Sequence, residues 1–225
     1  MDLILSSGFL AFARHIGVLE AIEERGIEIE GICGTSSGAM VGALYAAGHS
    51  LETIAAELYI PKPINMVSFS WRPWSGLLSM GPVQSKLSQL LPKTFAELER
   101  PFGVGLCTMD RKRQLCTSGN LVDAVIASCS VPYMFVPHKV EGTLFRDGGF
   151  ADRLMAEPWR AQRDEAAAIV HIVERSAGVG EELGVEGCTV VRTPRSHAKL
   201  WNLGDFDGQR AEAKKLAQEA FASLS

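Results

Sequence analysis

The chain has 225 residues, of which 47% are hydrophobic and 21% charged, and its net charge is -4. That balance suits one domain with a sizeable core and excludes a disordered chain. The negative charge gives no electrostatic basis for a nucleic-acid partner. No apolar run is long enough to span a bilayer, so the chain reads as soluble or at most peripheral to a membrane.

In chain order, Asp2 to Ser7 predict a first strand, and Leu10 to Arg25 a helix stopped by Gly26. Ile27 to Cys33, alternating and then apolar, read as a buried strand, and Ala39 to Gly48 as a helix rich in small residues. Strand–helix–strand–helix order argues for a parallel sheet with helices on its faces. Ser50 is placed to cap a helix from Leu51 to about Tyr59, ended by Pro61 and Pro63. Residues 61–80 break the rhythm, with Trp71, Trp74, Leu77 and Leu78 in irregular sequence that reads as loops folded over the core or as a lipid-facing lip. Pro82 begins a helix to about Leu91, and Thr94 to Glu97 form a capping box opening a short one.

Phe102 to Met109 and Gln114 to Thr117 predict a hairpin around Asp110 to Arg113. Asn120 caps a helix to about Cys129, which Pro132 prevents from extending. A second hairpin, Val136 to Val140 and Thr143 to Arg146, runs into Asp147-Gly148-Gly149. Ala166 to Val173 predict a central strand, residues 176–187 a surface loop, and residues 207–224 a closing helix. In that helix Ala213, Leu216, Ala217, Ala220, Phe221 and Leu224 share one face, which predicts packing against the rest of the chain. There is no clear domain boundary, so residues 1–225 are expected to form a single domain.

Met1-Asp2-Leu3-Ile4-Leu5 carries no basic leader or cleavage site, and the five cysteines are odd in number with no C-x-x-C pair. Both fit free, mostly buried thiols in a cytoplasmic protein. The five histidines show no metal-ligand spacing, so no metal is expected. His15 and His171 read as packed core residues.

The chemistry centres on Gly34-Thr35-Ser36-Ser37-Gly38, a G-x-S-x-G between a strand and a helix. A serine at such a turn is strained and exposed as a nucleophile, and the two glycines let backbones approach closely. Ser37 falls at the x of the motif. A hydroxyl needs a base within hydrogen-bond reach and N–H donors for the oxyanion that forms. Ser6-Ser7-Gly8-Phe9 ends the first strand at the same sheet edge, so Gly8 and Phe9 are the candidate donors. Asp147 directly follows a strand and precedes Gly148-Gly149, which suits either a base or an ordinary turn aspartate.

Together these residues resemble the patatin-like phospholipase family across roughly residues 2 to 175. The likeness rests on Leu3-Ile4-Leu5-Ser6-Ser7-Gly8, His15-Ile16-Gly17-Val18-Leu19, Gly34-Thr35-Ser36-Ser37-Gly38 and Asp147-Gly148-Gly149. Ala124 to Pro132 followed by Phe135-Val136-Pro137 adds to it. The resemblance implies a three-layer α/β/α fold with a mainly parallel central sheet. It also implies a Ser36–Asp147 dyad that hydrolyses lipid or other carboxylic esters without a cofactor, with transient membrane-surface contact. One departure stands out: where the family reads G-G-G-x-R/K-G, this chain has Ser7-Gly8-Phe9-Leu10-Ala11-Phe12. A positive φ at Phe9 would be strained, and Phe9 and Phe12 would narrow or fill the pocket. The altered loop also fits a catalytically silent relative that binds an acyl group or a protein partner. A third reading, a Ser-His-Asp triad using His171 or His197, conflicts with the early position of the elbow.

Overall fold

The computed structural model describes residues 1–71, 74–174 and 182–222. Its elements are β1 (Asp2–Leu5), α1 (Phe12–Glu24), β2 (Gly31–Thr35), α2 (Ser37–Ala46), α3 (Leu51–Leu58), β3 (Ser68–Phe69), β4 (Leu78–Ser79), α4 (Gly81–Leu90) and β5 (Phe102–Thr108). They continue with β6 (Arg113–Cys116), α5 (Leu121–Ser128), β7 (His138–Val140), β8 (Thr143–Asp147), α6 (Ala156–Ala161), β9 (Ala168–Val173), β10 (Thr189–Thr193) and α7 (Phe206–Phe221). Side-chain caps set several helix starts. Ser50 accepts from Thr53 N at 3.2 Å, and Asn120 Oδ1 accepts from Asp123 N at 2.9 Å. Thr94 and Glu97 do form a capping box, but the turn it opens is a short 3-10 turn, Phe95–Glu97.

The main sheet runs β10-β9-β1-β2-β5-β8-β7, with β6 also paired to β5. From β10 through β5 the neighbours are parallel, while β6, β7 and β8 join antiparallel. Alternate side chains go to opposite faces of a strand, and the burial follows that rule. Leu3, Leu5, Ile32, Ile169 and Val191 join the core shared with α1, α2, α5 and α7. Ile4, Cys33, Val170 and Ile172 face the other way, onto Trp159 of α6. The three layers are therefore unequal, with most helices on one face.

Two close approaches fix that packing. A Cβ at Gly17 would strike the Arg210 carbonyl oxygen, so α1 and α7 lie nearly in backbone contact there. On the opposite face, buried Asp2 accepts from Trp159 Nε1 at 2.9 Å and from Arg163 Nε at 2.9 Å, which ties α6 to the first strand. On α7, Ala213, Ala217 and Phe221 are buried as expected, and Leu224 lies outside the described residues.

The expected strand at Ile27 to Cys33 starts only at Gly31. Ile27 N closes the end of α1 by donating to Ile22 O at 3.1 Å, and Ile29 is buried from an irregular segment. Neither α6 nor β10 is anticipated by the sequence pattern. The irregular stretch after α3 contains the two-residue pair β3–β4, and the first half of the expected 176–187 loop, residues 176–181, lies outside the described residues. Among the described residues no helix is long and apolar enough to cross a membrane.

Candidate active site

The topology of β5 brings two distant segments together. Gly105 pairs with Thr35 of β2 on one edge and with Leu115 of β6 on the other. One residue later, Leu106 still pairs with β6 through Gln114 but now meets Asp147 of β8 on the edge where β2 has ended. Thr35 and Asp147 thus follow one another along the same edge of one strand, which brings Ser36, the next residue after Thr35, to Asp147, 111 positions away in sequence.

Ser36 sits at φ 55° and ψ -119°, between the end of β2 and the start of α2. A non-glycine residue there costs on the order of 1–3 kcal/mol, so surrounding contacts must hold it. Ser36 N donates to Ser128 Oγ at 2.9 Å, and Ser128 Oγ donates in turn to Gly105 O at 2.6 Å. Cys129 Sγ lies 3.2 Å from the Ser36 carbonyl oxygen. Neither elbow glycine can carry a side chain: a Cβ at Gly34 would meet the Gly38 carbonyl, and one at Gly38 would meet the Leu5 carbonyl.

Ser36 Oγ donates to Asp147 Oδ2 at 2.7 Å, while Gly149 N donates to Asp147 Oδ1 at 2.8 Å. Asp147 N donates to Ser130 O at 3.0 Å, so the end of α5 steadies both residues. Burial pushes the Asp147 carboxyl up to about 6, and the hydrogen bonds from Ser36 and Gly149 only partly oppose that rise. Gly148 is required for space, because its Cβ would strike the Gly105 carbonyl oxygen.

Gly8 and Phe9 line the same cavity as Ser36, Asp147 and Gly149. Their N–H groups donate to no acceptor among the described residues, and neither does that of Ser37 at the first position of α2. The positive φ of this loop falls on Leu10, at 50°, and not on Phe9. The loop is pinned from several sides. Ser6 Oγ accepts from Val173 N at 2.9 Å, Arg153 Nη2 donates to Ser7 O at 2.8 Å, and Ser196 Oγ donates to Phe9 O at 2.5 Å.

Two cavities meet at Ser36. One is apolar, and Phe9 and Phe12 stand in its wall with Met40, Leu58, Leu87 and Phe135. Its charged lining residues, Lys86 and Glu57, form an ion pair at 3.0 Å. The other cavity is polar and holds Asp147, Arg153 and the segment from Arg195 to Lys199.

The two core histidines form an unforeseen chain beneath the elbow. Ser37 Oγ lies 3.1 Å from His15 Nε2, His15 Nδ1 lies 2.9 Å from His171 Nδ1, and His171 Nε2 lies 2.9 Å from Thr193 Oγ1. Burial pushes His15 down to about 3 and His171 well below the usual range, so both rings are neutral. His171 is thereby engaged away from Ser36, so the histidine-triad reading has no partner in His171. His197 lines the polar cavity. The Ser128 cradle likewise has no motif of its own. Its sequence signal, Ser128-Cys129-Ser130 closing a helix before Pro132, gives no hint of a bond to Ser36.

Comparison with known proteins agrees with this architecture. Residues 3–158 match the sequence model of the patatin-like phospholipase family. An uncharacterized NTE family protein of Mycobacterium tuberculosis is 32% identical over 160 residues, covering 69% of this chain and 44% of that protein. Lysophospholipase NTE1 of Saccharomyces cerevisiae is 30% identical over 181 residues, covering 72% of this chain and 10% of that one. This chain thus spans less than half the length of these curated relatives. The crystal structure of VipD from Legionella pneumophila shares the fold at a TM-score of 0.62 and 14% identity, covering 99% of this chain and 66% of that one. ExoU of Pseudomonas aeruginosa, solved in complex with SpcU, gives a TM-score of 0.52 at 13% identity, covering 99% of this chain and 52% of the matched chain. With its central sheet flanked by helices and its family match across most of the chain, the protein belongs to the patatin-like phospholipase family.

Proposed function

We propose that this chain is one patatin-like domain acting as a serine acylhydrolase on lipid esters, with Ser36 as nucleophile and Asp147 as base. One observation carries the reading: Ser36 Oγ, held at a strained elbow, donates to a buried carboxylate 2.7 Å away at the mouth of an apolar cavity. A carboxyl raised to about 6 is ionised at neutral pH yet basic enough to take a proton in the transition state.

Asp147 accepts the Ser36 proton as Oγ attacks the ester carbonyl, and the N–H groups of Gly8 and Phe9, with that of Ser37, stabilise the oxyanion. The start of α2 adds favourable potential at the same point. Collapse of the tetrahedral intermediate breaks the bond to the alcohol oxygen, which takes the proton from Asp147 and leaves an acyl-Ser36 ester. Water then attacks that ester and gives its proton to Asp147. The fatty acid departs as the proton returns to Ser36 Oγ. No metal or organic cofactor takes part.

The acyl chain occupies the apolar cavity. Of the expected lip residues, Leu78 is buried in β4, while Trp71, Trp74 and Leu77 are 97%, 82% and 60% exposed; with Tyr133, 79% exposed, these three form a lip that touches the membrane surface during catalysis. Phe135 supports this role because it lines both the groove beneath Trp74 and Tyr133 and the apolar cavity at Ser36. Five free thiols fit a cytoplasmic setting.

The test is a fluorophosphonate probe together with p-nitrophenyl esters from acetate to palmitate, on wild type, Ser36→Ala and Asp147→Asn. Labelling and turnover in wild type, both lost in Ser36→Ala, are expected. A folded wild type that neither labels nor turns over any ester refutes the proposal and leaves the silent acyl-binding reading.

A further inference from the structure

The polar cavity has a wall that the reaction above does not use. Arg195, Ser196, His197, Ala198 and Lys199 form it, facing Gly8, Phe9, Ser36 and Asp147 across the opening. The segment lies beyond residues 3–158, where the family match ends. It is nevertheless fixed to the reaction centre. Buried Ser196 donates through Oγ to Phe9 O at 2.5 Å and accepts from Ala198 N at 3.3 Å. Lys199 N donates to Asn202 O at 2.7 Å, which closes the turn behind it.

The side chains on either side of Ser196 are exposed cations or donors. Arg195 and Lys199 make no ion pair or side-chain hydrogen bond among the described residues, although Lys199 Nζ lies 6.0 Å from the Trp201 ring. Arg153, the other cation in the cavity, is engaged with the carbonyl oxygens of Ser7 and Val173. Of the two carboxylates present, Asp147 is held by Ser36 and Gly149, which leaves Glu174 as the opposing charge at the rim. The uncommitted charge is therefore two cations against one carboxylate, beside an ester-cleaving centre whose other side is apolar.

We propose that Arg195 and Lys199, assisted by His197, form a subsite for the phosphate group of the lipid whose ester lies at Ser36. This deepens the acylhydrolase reading and rests on it. A phosphate offers several anionic oxygens that Arg can grip as a fork and Lys as a point charge. With the acyl chain in the apolar cavity and the ester at Ser36, the head group of a phosphoglycerolipid falls into the polar cavity. A neutral glycerolipid places only hydroxyl groups there.

The experiment separates this subsite from turnover. Calorimetry on the wild-type chain compares octyl glycerol ether with its phosphate, neither of which has an ester to cleave. In parallel, kcat/KM is measured for a lysophospholipid and for the monoacylglycerol with the same acyl chain. Wild type is expected to favour the phosphate-bearing member of each pair. In Arg195→Ala/Lys199→Ala that preference falls roughly 10- to 100-fold, through KM more than kcat. In Arg195→Lys/Lys199→Arg most of it returns, and in wild type it shrinks as salt is raised.

A preference that survives the double alanine variant overturns the proposal, as does a wild type that binds both ethers alike. If the ether phosphate binds through these residues while no ester is cleaved, the subsite stands and the acylhydrolase reading fails. If p-nitrophenyl esters are cleaved with no preference for phosphate, the reverse holds.

Discussion

Replacing Asp147 by Asn should make the protein more stable at neutral pH while removing its activity. The Asp147 carboxyl rises from 3.8 to about 6 on folding, with burial as the main cause. Folding therefore favours the protonated acid. This contribution is fully present below about pH 4 and is lost as pH rises towards and through 6, so above that the buried charge acts against the fold. A difference of about two pKa units corresponds to about 3 kcal/mol at pH 8 and roughly half of that at pH 5. Asn keeps an acceptor for Gly149 N and a polar group facing Ser36 Oγ, and it carries no charge. Urea unfolding of wild type and Asp147→Asn at pH 5, 6, 7 and 8 isolates this effect, because every other titrating group is common to both chains. Asn should be the more stable, by a margin that grows up to about pH 6 and then levels. A margin that is flat with pH, or that favours wild type at pH 8, refutes the picture of a buried carboxylate under strain. Activity should fall about 100- to 10,000-fold in the same variant, the usual contribution of a general base.

Three further outcomes follow from the site. In wild type, kcat/KM should rise with pH through about 6 and level above it, because the base must be ionised; a profile flat from pH 5 to 8 excludes Asp147 as that base. Ser128→Ala leaves Ser36 N without its acceptor and Gly105 O without its donor, which should cost about 1–3 kcal/mol in chemical denaturation. The same variant should lower kcat more than it raises KM. His15, pushed down to about 3 by burial, stays neutral when folded but takes up a proton below about pH 6.5 when unfolded. Stability is thus lost as pH falls, by about 2 kcal/mol at pH 5, and His15→Gln should flatten the decline seen in thermal melts between pH 7 and 5.

The parts of the site made from contiguous residues are legible in the sequence. Ser36 announces itself through flanking glycines and a strand–turn–helix rhythm, and Asp147 through the Gly148-Gly149 that follows it. The Ser50 and Asn120 caps sit where local chemistry places them. What escapes the sequence is the set of contacts made by chain crossings. His15 and His171 meet only because α1 and β9 pack on the same sheet. Ser128 reaches the elbow from a helix end with no motif of its own. The strand expected over Ile27 to Cys33 begins only at Gly31, and the mismatch has a different cause: burial of Ile29 between exposed Glu28 and Glu30 imitates the alternation of a paired strand. At the proposed oxyanion loop, the sequence raises the question of strain at Phe9, and the backbone places the positive φ on Leu10 instead.

The succession of Thr35 and Asp147 along one edge of β5 has a consequence for how this site tolerates change. The proposed base and nucleophile are spaced by the hydrogen-bond repeat of a third strand, so loops elsewhere can lengthen or shorten without moving them apart. The turns at 109–112 and 141–142 lie outside that shared edge and are free to drift. A single residue inserted between Thr143 and Asp147 is another matter. It would turn the carboxylate to the opposite face of the sheet, or force a bulge to hold it in place. The protein is therefore most vulnerable to frame changes in a five-residue strand far from the serine in sequence, and that strand is the place to look for inactive variants that still fold.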